Sequence, residues 1–135
     1  KKKKKKKKKN KLKKKKIIFK TYKEYFKNID NIKLFKPYKL CDSNHWLNAI
    51  IVEKVRYSNF KKIINNLNNS GIQVRPLWYP CHLQHHLKKF QRHKITKANE
   101  IYKKLICLPS SHFLKKDEIK KISKLVINEI KKYKN

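Results

Sequence analysis

The residues best suited to chemistry gather between positions 75 and 86. Cys81, His82, His85 and His86 lie within six residues, and Cys41 and His45 stand four apart. Thiolates and imidazoles are the ligands zinc takes. Yet no CxxC pair accompanies them, and adjacent ligands such as Cys81 and His82 seldom point at one ion. A loop that packs or meets an organic ligand is the better reading, with no metal expected. Arg75 is one of three arginines, and Pro76-Leu77-Trp78-Tyr79-Pro80 follows it. Prolines on both sides of an aromatic pair stiffen a segment. A guanidinium held there can grip a carboxylate or phosphate through two parallel hydrogen bonds. It can equally be an arginine stacked on surface aromatics, and His82 a plain surface histidine; both readings stay open. Ser110 and Ser111 precede His112, but no acid or oxyanion motif completes a hydrolase site. One glycine in 135 residues cannot build a phosphate-binding loop.

Elements must exist to position these groups. Tyr22, Tyr25, Phe26, Ile29 and Ile32 recur at helical spacing, which predicts a helix over 20–33 ended by Pro37. Residues 46–52 (WLNAIIV) form a short, nearly continuous apolar run, the pattern of a buried strand headed by Trp46. Phe60, Ile63, Ile64 and Leu67 predict a second helix, with Ser58 as N-cap and Gly71 just past its end. Residues 71–77 alternate, Ile72 and Val74 facing one way, Gln73 and Arg75 the other. Residues 79–95 read as a long loop. Ala98, Ile101, Tyr102 and Leu105 predict a short helix running into a strand at 106–108, and Ile119, Ile122, Val126 and Ile130 a closing helix. The order predicts a small α+β domain: a three-stranded sheet covered by helices, with 46–52 central between 71–77 and 106–108.

Charge dominates the composition. Lys and Arg number 40 against 8 Asp and Glu, a formal charge of +32, and residues 1–16 alone contain 14 lysines. That tract is expected to be a low-complexity, disordered tail, leaving 17–135 as the domain. Lysine outnumbers arginine 37 to 3, and Asn and Ile are abundant while Ala and Gly are scarce. A biased base composition accounts for this balance. Nucleic-acid readers more often recruit arginine, so nucleic acid is not the expected partner. No apolar run approaches the roughly 18 residues of a membrane span, and three sparse cysteines suggest a reducing, cytoplasmic setting. The chain contains no methionine, which suggests a piece of a longer protein.

Three ordered motifs carry a resemblance: SNHWLNAI (43–50), GIQVRPLWYPCHLQ (71–84) and AxxIYKKLICLPSS (98–111), followed by an amphipathic helix. Together, over roughly 17–132, they resemble the C-terminal domain of the DegT/StrS family. These are pyridoxal-phosphate-dependent nucleotide-sugar aminotransferases of the aspartate-aminotransferase fold. The resemblance implies the small domain on the substrate side of a larger enzyme. In that enzyme the aldimine lysine, the acid facing the pyridine nitrogen and the phosphate-binding residues belong to a large domain outside this chain, so no catalytic residue is assigned here. Arg75, His82, Asn44 and Trp46 match substrate-side segments. By the same resemblance the complete enzyme is a cytoplasmic homodimer that takes an amino group from glutamate and aminates a keto-sugar nucleotide for surface polysaccharide; alone, this chain is expected to be inactive. One departure is Lys115, where the family usually has Thr or Ser opening the last helix. Two rival readings are a basic nucleic-acid-binding module and a non-catalytic remnant of a truncated gene.

Overall fold

A computed structural model describes residues 2–133. The elements run α1 (Lys2–Tyr25), β1 (Ile32–Leu34), β2 (Asn48–Val52), α2 (Tyr57–Asn69), β3 (Arg75–Pro76), α3 (Thr96–Ile101), β4 (Leu105–Leu108) and α4 (Lys116–Lys131). The strands form one antiparallel sheet in the order β1-β2-β4-β3. The α+β class stands, and two details of the expectation are corrected. The sheet has four strands, because Ile32 and Leu34 pair with Val52 and Ile50 instead of continuing a helix. The 71–77 segment reaches β4, not β2, and only Arg75 and Pro76 are strand.

The predicted helix over 20–33 is helical only over 20–25 and belongs to a longer helix that starts earlier. It begins at Lys2 and stops at Tyr25. Asn28 and Asn31 take φ of 58° and 64°, a left-handed conformation asparagine tolerates, and this bends the chain into β1. The lysine tract is therefore helical here, in place of the disordered tail, and α1 runs through the 16/17 boundary. Helix nucleation is costly while propagation onto a formed helix is not. Ile18 and Tyr22 bury one face of α1, with Phe26 packed just past its end, and supply that nucleus. Lysine is a good helix former. Lys15 donates to the carbonyl oxygens of Trp46 and Ser110, and Lys16 pairs with Asp42 at 2.8 Å.

Helices α1, α2 and α4 share one core with the sheet. Ile32 and Leu34, Ile50 and Val52, and Ile106 and Leu108 face them, all in a single buried cluster. Ile50, Ile63, Ile106 and Val126 are wholly buried. Burying such a side chain stabilises by about 1.5–3 kcal/mol. Helix α2 ends as its pattern predicts. Gly71 takes φ 79°, its N–H reaches Asn68 O at 2.9 Å, and the Ile72 N–H reaches Leu67 O at 3.0 Å. These two hydrogen bonds satisfy two terminal carbonyls. The start differs: Arg56, with no capping side chain, precedes α2, and Ser58 lies inside the helix.

Helix α4 opens with half a cap. The Glu118 carboxylate accepts from the Lys115 backbone N–H at 2.6 Å, but the Lys115 side chain cannot accept in return. Lys115→Thr completes the reciprocal pair and should raise stability by about 1 kcal/mol in urea unfolding. On the buried side of α4, Glu129 accepts from Asn66 Nδ2 at 2.7 Å and from Lys132 Nζ at 2.6 Å. Burial alone would raise its pKa; these two donors outweigh burial and hold it below the usual carboxylate value. A depressed folded pKa contributes stability above the ordinary carboxylate range, and that stability is lost as pH falls through the folded value. Glu129→Gln should thus be less stable than the parent at pH 7, and the gap should close below about pH 4.

Candidate functional site

Alternation across the sheet decides where the site residues stand. Ala49, Cys107 and Arg75 are register partners across β2, β4 and β3, so their side chains share the face that α1, α2 and α4 leave uncovered. Arg75 is exposed, and among the described residues no hydrogen bond or ion pair engages its guanidinium. Its placement opposite Ile72 and Val74, both buried, follows the predicted alternation.

Trp46 departs from expectation. It precedes β2 instead of heading a buried strand, and it is 64% exposed. Its indole lies against that of Trp78, itself 65% exposed, with centroids 6.0 Å apart. This contact joins the SNHW segment to the RPLW segment. The loop presenting Trp46 is shaped by its own side chains. Asn44 Oδ1 accepts from the Trp46 N–H at 2.9 Å, and Ser43 Oγ from the His45 N–H at 3.1 Å. His45 sits at φ 48° and stacks on Phe19 at 4.1 Å. Burial, then the nearby Lys16, lowers its pKa, while Asp42 opposes them. Asn44 and Trp46 line a cavity of about 450 Å³ whose other wall is Lys8, Lys11, Leu12 and Lys15 of α1.

His82 belongs to a different cavity. Residues 81–83 and 85–87 form two short 3-10 turns within the predicted loop. The His82 Nε2–H donates to Asn99 Oδ1 of α3 at 2.6 Å, and the Arg92 guanidinium donates to the His82 carbonyl at 2.9 Å. Lys88, Arg92, His93 and Lys94 join His82 around about 420 Å³, with no carboxylate among the lining residues. Such a lining suits an anion. Periodicity could not reveal it, because these cations lie on an irregular loop. Arg92 was nonetheless visible as one of only three arginines. The four candidate residues thus divide: Asn44 and Trp46 together, Arg75 on the open sheet face, His82 beside α3. Among the described residues no three His, Cys, Asp or Glu side chains converge to hold a metal ion.

Ser110, in the LPSS segment, has structural work. Its Oγ accepts from the Asn48 N–H at 2.8 Å and Asn48 Nδ2 at 3.0 Å, and donates to Leu108 O at 2.9 Å. The Tyr22 hydroxyl donates to Pro109 O at 2.9 Å, tying α1 to the same turn. Burial raises the Tyr22 pKa, keeping that hydroxyl a donor. His112 packs at a tilt against Phe113, centroids 4.0 Å apart, and makes no catalytic pair with Ser110. Asn48 is buried, so Ser110→Ala leaves two donors without an acceptor. A loss of about 1–3 kcal/mol is expected in chemical denaturation.

A sequence model of the DegT/DnrJ/EryC1/StrS aminotransferase family matches residues 4–127. The chain belongs to this family. It is 28% identical over 125 residues to EpsN of Bacillus subtilis (strain 168), whose name places it among pyridoxal phosphate-dependent aminotransferases; the match covers 86% of this chain and 32% of EpsN. The fold is similar to that of Helicobacter pylori PseC, an aminotransferase of pseudoaminic acid biosynthesis (TM-score 0.80, 20% identity, 90% of this chain and 33% of that one). It is equally similar to the Streptococcus pneumoniae sugar aminotransferase Spr1654 (TM-score 0.80, 22% identity, 90% and 31%). This family member therefore spans about a third of the length of these relatives. No helix among the described residues is long and apolar enough to cross a membrane.

The family's cofactor can be tested against the residues present. Pyridoxal phosphate needs a lysine for its aldehyde, an acid for its ring nitrogen and a cradle for its phosphate. Lys15 has a pKa lowered by burial, but its ammonium is engaged by two carbonyls. Asp42, Glu53 and Glu129 are each paired with another lysine, and Glu118 caps α4. Lys15 and these four acids therefore do not assemble a cofactor site.

Proposed function

We propose that this chain is the substrate-side domain of a pyridoxal-phosphate-dependent sugar aminotransferase that aminates a keto-sugar nucleotide with glutamate as donor. The observation that carries this reading is the placement of Arg75: unpaired, exposed, and on the sheet face left open by the helices. The cationic cavity around His82, Lys88 and Arg92 supports it by offering diphosphate partners on the adjoining loop. Trp46 and Trp78 offer flat faces for a ring of the substrate. In this reading Asn44 sets the angle of Trp46, and the chain orients substrate without supplying the lysine that reacts. Activity then requires a large domain from elsewhere, within a cytoplasmic homodimer, and the product serves surface polysaccharide synthesis.

Arg75→Lys in an enzyme completed with a large domain tests the assignment. Lysine keeps the charge and loses the two-pronged geometry. A charge-assisted hydrogen bond is worth about 1.5–3 kcal/mol, so kcat/KM for the keto-sugar nucleotide should fall about 10- to 150-fold. The thermal midpoint should stay unchanged, since an exposed, unpaired side chain contributes little to stability. Unchanged kinetics would remove Arg75 from the site.

A further inference from the structure

Within residues 1–16 one side chain is apolar, Leu12. Lys8, Lys11, Leu12 and Lys15 recur at i, i+3, i+4 and i+7, so they share one face of α1. With Asn44 and Trp46 they bound the cavity of about 450 Å³, a size that suits a small ligand. The indole, Leu12 and the lysine methylenes make its walls apolar, while the ammoniums make its rim cationic. No carboxylate lines it. Asp42, two residues before Asn44, is taken by Lys16, and among the described residues no ion pair engages Lys8 or Lys11. Burial, then Lys11, Lys14 and Lys15, hold the His112 pKa below the usual imidazole value, so the field of this helix reaches its neighbours uncancelled. Trp46 is fixed in advance. Lys15 donates to its carbonyl at 3.1 Å, and Asn44 Oδ1 accepts from its N–H at 2.9 Å. Such pre-organisation lowers the entropic cost of binding.

We propose that this cavity binds a nucleoside diphosphate, its base against Trp46 and Leu12 and its phosphates between Lys8 and Lys11. Charge alone would accept any polyanion. The indole adds a flat apolar face and so selects an anion that carries a ring. Trp46 supplies the only aromatic face among the lining residues, and Trp78, which lies against it, is not one of them. A nucleic-acid strand needs successive stacking platforms, so a single nucleotide is the better fit. The site is separate from the cavity around His82, with which it shares no lining residue. Nor does it rest on the aminotransferase reading, which places a diphosphate near His82 and assigns α1 no ligand. Trp46 and Asn44 are what the two assignments have in common.

Calorimetric titration of the full chain with ADP, adenosine and pyrophosphate, in about 0.15 M salt, tests the site. ADP should saturate one site and bind about tenfold or more tightly than either of its parts. Base–aromatic stacking sets the contribution of the indole. Trp46→Ala should weaken ADP about 5- to 150-fold and leave pyrophosphate unchanged, and Trp46→Phe should recover most of the loss. Lys8→Ser combined with Lys11→Ser should weaken ADP and pyrophosphate alike, by about tenfold or more. Lys120→Ser with Lys124→Ser, an equal charge change on the exposed face of α4, should weaken neither. All these side chains are exposed, so each variant should keep the thermal midpoint of the parent. ADP bound no more tightly than pyrophosphate, or an equal loss from the α4 pair, overturns the inference, because charge alone would then account for binding. So does loss of ADP binding in Arg92→Ser with none in the Lys8 and Lys11 variant. That result would put the nucleotide in the cavity around His82 and favour the substrate reading instead.

Discussion

The antiparallel ladder through β2 and β4 is the constraint on which the molecule depends. Its register sets Ile50 beside Ile106 on the helix side, and Ala49 beside Cys107 on the other. A slip of one residue would exchange the two sets and expose the core side chains. Three helices pack on one side of this ladder, and their amphipathic faces are consumed there. The open side is then available for recognition, and β3, joined only to β4, delivers Arg75 to it.

The turn after β4 ties that ladder to the rest of the chain. Ser110 bonds Asn48 at the start of β2, Pro109 accepts from Tyr22 of α1, and Lys15 reaches the carbonyls of both Ser110 and Trp46. Three sequence segments far apart in the chain, around 15–22, 43–48 and 108–110, therefore meet at one corner. The tryptophan pair grows out of that corner, so the part of the site with the most exposed aromatic surface rests on a closely bonded support. The cationic loop at 82–94 is held differently, by His82 on Asn99 and Arg92 on the His82 carbonyl. Apart from the exposed Lys15–Trp46 bond, part-buried bonds anchor the first part, and exposed ones anchor the second. Local opening costs less where backbone and side-chain bonds face water, and the loop is accordingly the more adaptable half.

Electrostatics divides in the same way. The lysine excess lies mostly on exposed helix faces, where interactions are screened over about 10 Å in 0.1 M salt. Four of the eight acids are engaged locally, Asp42 by Lys16, Glu53 by Lys33, Glu129 by Lys132 and Glu118 at the start of α4. None lines the cavity around His82. The sugar-nucleotide reading needs only that local imbalance and draws nothing from the total charge.

Much of this was legible in the chain before folding. The i, i+3, i+4 apolar repeats of α2 and α4, the glycine that ends α2 and the alternation around Val74 and Arg75 are local signals, and local geometry obeyed them. The three motifs in order carried the family. Other features were not local. Residues 29–34 hold Ile29 and Ile32 at a spacing compatible with helix, and only pairing with Val52 and Ile50 makes β1. The lysine tract has no apolar face of its own, and its helix follows from the nucleus at Ile18 and Tyr22 just beyond it. Trp46 looked like core because it adjoins an apolar run; sheet register begins two residues later and leaves it outside. The sequence alone thus determined which segments are amphipathic, and with what period. Tertiary structure decided which face stayed open and which distant residues share it, because register and the limited area of three helices are properties of the assembled sheet.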